Sequence, residues 1–157
     1  MKTTVVQPHK SKIGMDANTA VMLMYLIMVV MTFISWIPFI GGLGNLLWAV
    51  LPVIILIIDR DSEFLKYQSA QALIIGILRA AIDFILAIPR IILDVFFGGG
   101  IIALLLWFIS VVISLIITAA TVYILLAAYQ YKQVELPVLS PIVDKVNAAL
   151  DKMFWKK

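Results

Sequence analysis

Residues 69–97 have the length and apolarity of a membrane-crossing helix, yet they carry Arg79, Asp83, Arg90 and Asp94. A helix turns about 100° per residue, so residues four apart are offset by about 40° and residues eleven apart by about 20°. Taking Arg79 as zero, Arg90 falls at about 20°, Asp83 at about 40° and Asp94 at about 60°. Gln68, Ala72 and Gly76 fall on the same side. Four charges, an amide and two small residues therefore share one narrow intramembrane polar strip, while the rest of the helix is nearly all Leu, Ile, Phe and Ala. A charge near the bilayer centre costs about 2.5–3.5 kcal/mol on insertion scales. Such a chain must hide its charges, pair them or use them.

The surrounding sequence sets the same solvent. Of the 157 residues, 64% are hydrophobic, and mean hydropathy is +1.11. A soluble core this small could not enclose that much apolar surface. The fold class expected is all-α, a polytopic membrane protein of four transmembrane helices plus a C-terminal amphipathic interfacial helix. The four apolar segments are 17–39, 45–58, 69–97 and 101–128. Asp16, Asn18 and Thr19 offer side-chain caps to the first, which is expected to be retained as a span rather than cleaved as a signal. The second contains Pro52 and is short for a bilayer core of about 30 Å, so it either takes in part of the turn before it or starts inside the bilayer. Pro89 is expected to kink the third. Glycine-rich turns are expected at 40–44 and 96–100, and residues 59–63 form a polar break. The chain divides into a polar tail at 1–15, a four-helix transmembrane domain at 16–130 and a cytoplasmic tail at 131–157.

In that tail, residues 136–141 read as an extended stretch, with Ser140 as cap and Pro141 at the first helical position of a final helix. Ile142, Val143, Val146, Ala149, Leu150, Met153 and Phe154 take one face of this helix; Asp144, Lys145, Asn147, Asp151, Lys152 and Lys156 take the other. Such a helix lies on a membrane surface or packs against a soluble partner; its Trp155, Lys156 and Lys157 ending suits a headgroup layer. Ten of the twelve basic residues (Lys2, Lys10, Lys12, Arg60, Lys66, Lys132, Lys145, Lys152, Lys156 and Lys157) fall in the N-tail, the 59–68 loop and the C-tail. The opposite side has at most Arg90. Both termini are therefore expected to be cytoplasmic, in a multi-pass protein of the inner or plasma membrane. The net charge of +3 reflects this topology, and no nucleic-acid partner is expected.

Arg79 lies about 16 Å along the helix from Gln68, close to mid-bilayer, and Asp83 stands one turn beyond it, where the two side chains can meet. Three readings fit them: a self-neutralised packed pair, the lining of a transport path, or a contact to a partner subunit. Arg90 and Asp94 repeat the spacing near the external interface. Ser110, Ser114, Thr118 and Thr121 form a helix-packing stripe on the fourth segment whose hydroxyls could complete the bonding of Arg79 and Asp83. No His-Glu-x-x-His, phosphate-loop or Gly-x-Ser-x-Gly motif occurs, there is no cysteine, and the one histidine, His9, lies in a tail. No catalytic residue, metal or cofactor is expected. Trp36, Trp48, Trp107, Tyr25 and Tyr123 read as interface or packing residues.

Two stretches carry a family likeness. At the start of the third span stand Phe64, Leu65 and Tyr67, then Gln71, Ala72 and Leu73; after the fourth stand Leu136, Pro137, Leu139 and Ser140. They resemble the Phe-(Ile/Val)-x-(Phe/Tyr), Gln-Ala-Leu and (Ile/Leu)-Pro-x-(Ile/Leu)-Ser elements of a small four-helix membrane family. That family contains the twenty-kilodalton Tic subunit of the chloroplast inner-envelope translocon and uncharacterised prokaryotic relatives. The likeness covers roughly residues 15–146. It implies a helical bundle with both termini on the stromal or cytoplasmic side and, for the plastid member, a part in moving preproteins across a membrane. Four packed helices leave no aqueous lumen, so a pore would need self-association or other membrane subunits.

Overall fold

The computed structural model describes residues 2–34, 47–59 and 61–154. The expected turn at 40–44, the first two residues of the second segment, Trp36, Arg60, Trp155, Lys156 and Lys157 lie outside the described residues, as do the side chains of Leu150, Met153 and Phe154. The described chain runs β1 (Lys2–Val5), α1 (Ala17–Ile34), α2 (Val50–Ile58), α3 (Glu63–Phe97), α4 (Gly100–Tyr129), β2 (Lys132–Glu135) and α5 (Ser140–Phe154).

Three of these helices, α1, α3 and α4, are long and apolar enough to cross a membrane. The expected count was four. The second apolar segment supplies only nine described helical residues, about 14 Å against a hydrocarbon core of about 30 Å. Pro52 is tolerated there because it sits in the first turn, where its missing N–H has no intrahelical partner to lose.

Helix α3 is started by Ser62, whose Oγ accepts the Leu65 N–H at 3.3 Å, and it runs unbroken through Pro89. It stops at Gly98, which takes the left-handed conformation (φ 66°) that a side chain would disfavour. Gly99 and Gly100 are also left-handed, so the helix reverses into α4 within two residues. The first turn of α1 differs from expectation. Asn18 accepts the Thr19 N–H at 2.8 Å and donates to the Tyr129 carbonyl at 3.2 Å, tying the start of α1 to the end of α4. The 136–140 stretch is a turn rather than extended chain: the Leu139 and Ser140 N–H groups both reach the Leu136 carbonyl, at 2.9 and 2.8 Å. Ser140 is accordingly the first residue of α5 and not its cap; the Leu139 carbonyl accepts from Val143 at 2.9 Å.

The hydrophobic core is concentrated at one end of the bundle. Val21, Met24 and Tyr25 of α1, Phe64 and Leu65 of α3, and Ile124 and Ala128 of α4 are buried together. Helix α1 packs on α3 and α4, and α2 and α5 pack on α3. Among the described residues the far half of the α3–α4 hairpin packs only on itself, and Phe96, Phe97 and Ile101 are about three-quarters exposed. Trp48, just before α2, lies flat against Gly76: a Cβ there would stand 2.1 Å from the indole ring.

The tails are folded onto each other. Strand β1 pairs antiparallel with β2 in the register Lys2↔Glu135 to Val5↔Lys132, and Val134 is fully buried. Tyr131, at φ 52°, turns the chain out of α4 into this pairing. Buried Asp59 accepts hydrogen bonds from the Ser11 hydroxyl and from the Lys12 N–H at 2.5 Å. His9 Nε2 shares a 2.6 Å bond with the Ser62 hydroxyl, and Lys12 pairs with Asp61. The N-tail, the 59–62 loop and the post-α4 segment thus occupy one end, and the Gly98–Gly100 turn the other.

Candidate functional site: a charged strip between three helices

Arg79 sits midway along α3 and points between α1 and α4. Its guanidinium donates to Thr32 Oγ1 of α1 and, at 3.0 Å, to Ser114 Oγ of α4. Its Nε lies 3.7 Å from Asp83 Oδ2, an ion pair one helical turn long. Thr32 passes the chain on by donating to the Met28 carbonyl at 2.9 Å. Asp83 has a weaker hold, a 3.5 Å contact from Ser110 Oγ. The two ends of the pair differ in environment: the Arg79 side chain is 17% exposed and that of Asp83 44%. The cation is held inside by three helices, and the anion faces outward.

Around the pair lies a cavity of about 40 Å³, lined by Met28, Thr32, Trp48, Gly76, Ala80 and Thr121 among others. At on the order of 10–15 Å³ per water it has room for a few molecules, and its polar atoms supply the partners that bound water needs. Nothing in its lining has the nucleophile–base arrangement of an acyl-transfer site. No cluster of His, Asp and Glu suited to a metal occurs among the described residues.

The strip seen in the sequence is divided by the fold into three places. Gln68 lies in the buried end of the bundle, where its Oε1 accepts from the Tyr25 hydroxyl at 2.9 Å. Arg79 and Asp83 form the central cavity. Arg90 and Asp94, 3.7 Å apart and each about half exposed, line a shallow groove at the hairpin end. The hydroxyl stripe also splits. Ser110 and Ser114 reach across to Asp83 and Arg79, whereas Thr118 and Thr121 bond back to the carbonyls of Ser114 and Ile117, at 2.7 and 2.8 Å. The residues of the family likeness are structural here. Phe64, Tyr67, Gln71 and Ala72 are buried, Leu73 is half-buried, and the Phe64 ring packs between His9 and Tyr131. Leu136 and Ser140 are half-buried and Pro137 exposed at the α5 turn.

Sequence reasoning missed Thr32, and it placed Gly76 on the strip without its contact to Trp48. A lone hydroxyl among the Met, Val and Ile of α1 gives no periodic signal. Only its placement seven residues from Tyr25, about two turns along one face, hints that it joins the polar side. Further buried polar groups were also missed: Gln71 and Ser69 are fully buried, and neither the Gln71 amide nor the Ser69 hydroxyl has a hydrogen-bond partner among the described residues. No family model, no curated protein and no solved structure matches the chain.

Proposed function

We propose that this chain is a non-enzymatic integral membrane subunit of a transport or translocation assembly, acting as a homo-oligomer or with other membrane subunits. One observation carries the reading. Asp83, near the middle of a helix of membrane-crossing length and paired only with Arg79 one turn away, is nearly half exposed on a face that the described residues leave open. In hydrocarbon that arrangement costs too much to be neutral, so the face meets water or another polar protein surface. The small cavity beside it, with room for a few waters, supports a path that neighbouring subunits complete. The likeness of Phe64, Tyr67, Gln71, Ala72, Leu73, Leu136, Pro137 and Ser140 to the Tic-type translocon family points the same way.

The proposed topology has an even number of crossings. The N-tail and the post-α4 segment are hydrogen-bonded at one end, so the chain that leaves in α1 must return before α3 begins. α2 provides that return, either as part of a fourth span or as a shorter segment shielded by α3. The lysine-rich end is placed in the cytoplasm.

The test is purified protein reconstituted in liposomes, alone and as Asp83→Asn, assayed for ion and peptide flux. Flux that falls in the variant supports the reading; no flux in either sinks it. A second reading, an adaptor subunit of a larger membrane complex, is favoured by the same exposed charges if a protein rather than water covers them. Crosslinking in native membranes separates the two: an adaptor yields a heterologous product, and recovery of the chain alone removes it.

A further inference from the structure

The groove at the hairpin end is chemically unlike the central cavity. It is an open depression of about 380 Å³ bounded by Arg90, Asp94, Gly99, Ala103, Leu104 and Trp107. Its charges are paired loosely: Arg90 Nε and Asp94 Oδ2 stand 3.7 Å apart, beyond hydrogen-bond length, and neither side chain makes a hydrogen bond among the described residues. A guanidinium with five donors and a carboxylate with two acceptor oxygens are thus presented side by side. The floor is small, since Gly99 and Ala103 place nothing larger than a methyl group there. Asp94 lies so close to Gly99 that an added Cβ would stand 2.9 Å from its carboxylate. One wall is apolar, with Leu104 63% and Trp107 47% exposed.

Depth identifies what meets this groove, given the reading that α3 crosses the bilayer. From Gln68, at the buried end, to Arg90 is 22 residues, or about 33 Å of helix. A hydrocarbon core is about 30 Å thick. Arg90 and Asp94 then stand at the opposite headgroup layer, with the Leu104–Trp107 wall continuing towards the acyl chains. Trp at that level is suited to the interface.

We propose that this groove binds the headgroup of a zwitterionic phospholipid bearing a primary ammonium. The phosphate is held by Arg90, the ammonium by Asp94, and one acyl chain lies along Leu104 and Trp107. A purely anionic headgroup satisfies Arg90 but leaves Asp94 facing negative charge. A trimethylated ammonium offers Asp94 no N–H donor. The order of retention is therefore phosphatidylethanolamine above phosphatidylcholine and phosphatidylglycerol.

The experiment is lipid retention by the full chain in detergent, read by native mass spectrometry after exchange against equimolar mixtures of the three lipids. Wild type prefers phosphatidylethanolamine by on the order of tenfold, the discrimination one charge-assisted hydrogen bond provides. Asp94→Asn loses that preference and keeps phosphatidylglycerol; Arg90→Gln loses selective retention of all three. Both positions are half exposed, and circular dichroism checks that each variant is folded. Soluble glycerophosphoethanolamine does not displace the lipid, because it lacks the acyl chain. Equal retention of the three lipids by wild type overturns the proposal, as does selectivity unchanged in both variants or displacement by the soluble headgroup. Asp83→Asn leaves the lipid preference intact, so a failed flux assay and a failed lipid assay are distinguishable. A chain that stays soluble and lipid-free without detergent refutes the crossing itself.

Discussion

Gly76→Ala is the sharpest test of how the central cavity is walled. The added methyl would stand 2.1, 2.2 and 2.5 Å from three carbons of the Trp48 ring, where ordinary contact begins near 3.5 Å. The indole must retreat by more than about 1 Å, and a flat bicyclic ring has no flexible end to yield. Overpacking of this kind costs about 1–3 kcal/mol. Against it stands the gain in helix propensity, at most about 1 kcal/mol for Gly to Ala. With the full propensity gain subtracted, the net expectation is a loss of about 0–2 kcal/mol. Unfolding of the detergent-solubilised protein, followed by far-ultraviolet circular dichroism so that the indole is not the probe, measures it. The decisive arm is the double-mutant cycle. In a Trp48→Ala background the clash is gone, and Gly76→Ala becomes neutral or stabilising. Equal effects of Gly76→Ala in both backgrounds refute the contact.

The remaining expectations concern the polar network and the tails. Ser114→Ala removes a 3.0 Å bond to the Arg79 guanidinium and lowers stability by about 1.5–3 kcal/mol, whereas Ser110→Ala, which loses only a 3.5 Å contact, costs less than about 1 kcal/mol by the same unfolding assay. Val143→Ala removes part of a fully buried side chain of α5; limited proteolysis should cut beyond residue 131 faster than in wild type, while Asp151→Asn, which removes an exposed partner of Lys66, changes the rate little. Asp59→Ala leaves the Ser11 hydroxyl and the Lys12 N–H without their acceptor, and hydrogen exchange at 9–13 should rise while exchange in α4 does not.

Much of α3 and the hairpin was legible because the information is local. Arg79 and Asp83 are four residues apart, and a helix of that pitch brings them together whatever surrounds it. The Gly98–Gly100 reversal follows from three glycines in the left-handed region. Ser110 and Ser114 could be matched to Arg79 and Asp83 because α3 and α4 are joined by two residues, which fixes their register.

What was not legible depends on distant chain. Strand β1 meets β2 about 130 residues away through four-residue segments too short for an alternating pattern to register. Thr32 is 47 residues from the Arg79 it serves. The amphipathic face of α5 showed that something covers it, but not that the helix packs on α3, with Val143 buried and Ile142 half exposed. The expected fourth span rested on an apolar segment already short for a bilayer and on the turn before it, and the described part of α2 is too short to supply it.

On the proposed reading, the open face beside Arg79 and Asp83 meets water. The chain has no cysteine, so single thiols can be placed without background. Ala80 lines the cavity; Ala81, one residue on and about 100° around the helix, is exposed on the apolar side. The direct measurement is the labelling rate of Ala80→Cys and Ala81→Cys by a membrane-impermeant, thiolate-selective methanethiosulfonate in intact membranes. If that face is wetted, Ala80→Cys is labelled rapidly and Ala81→Cys negligibly. Equal, negligible rates at both positions would contradict it.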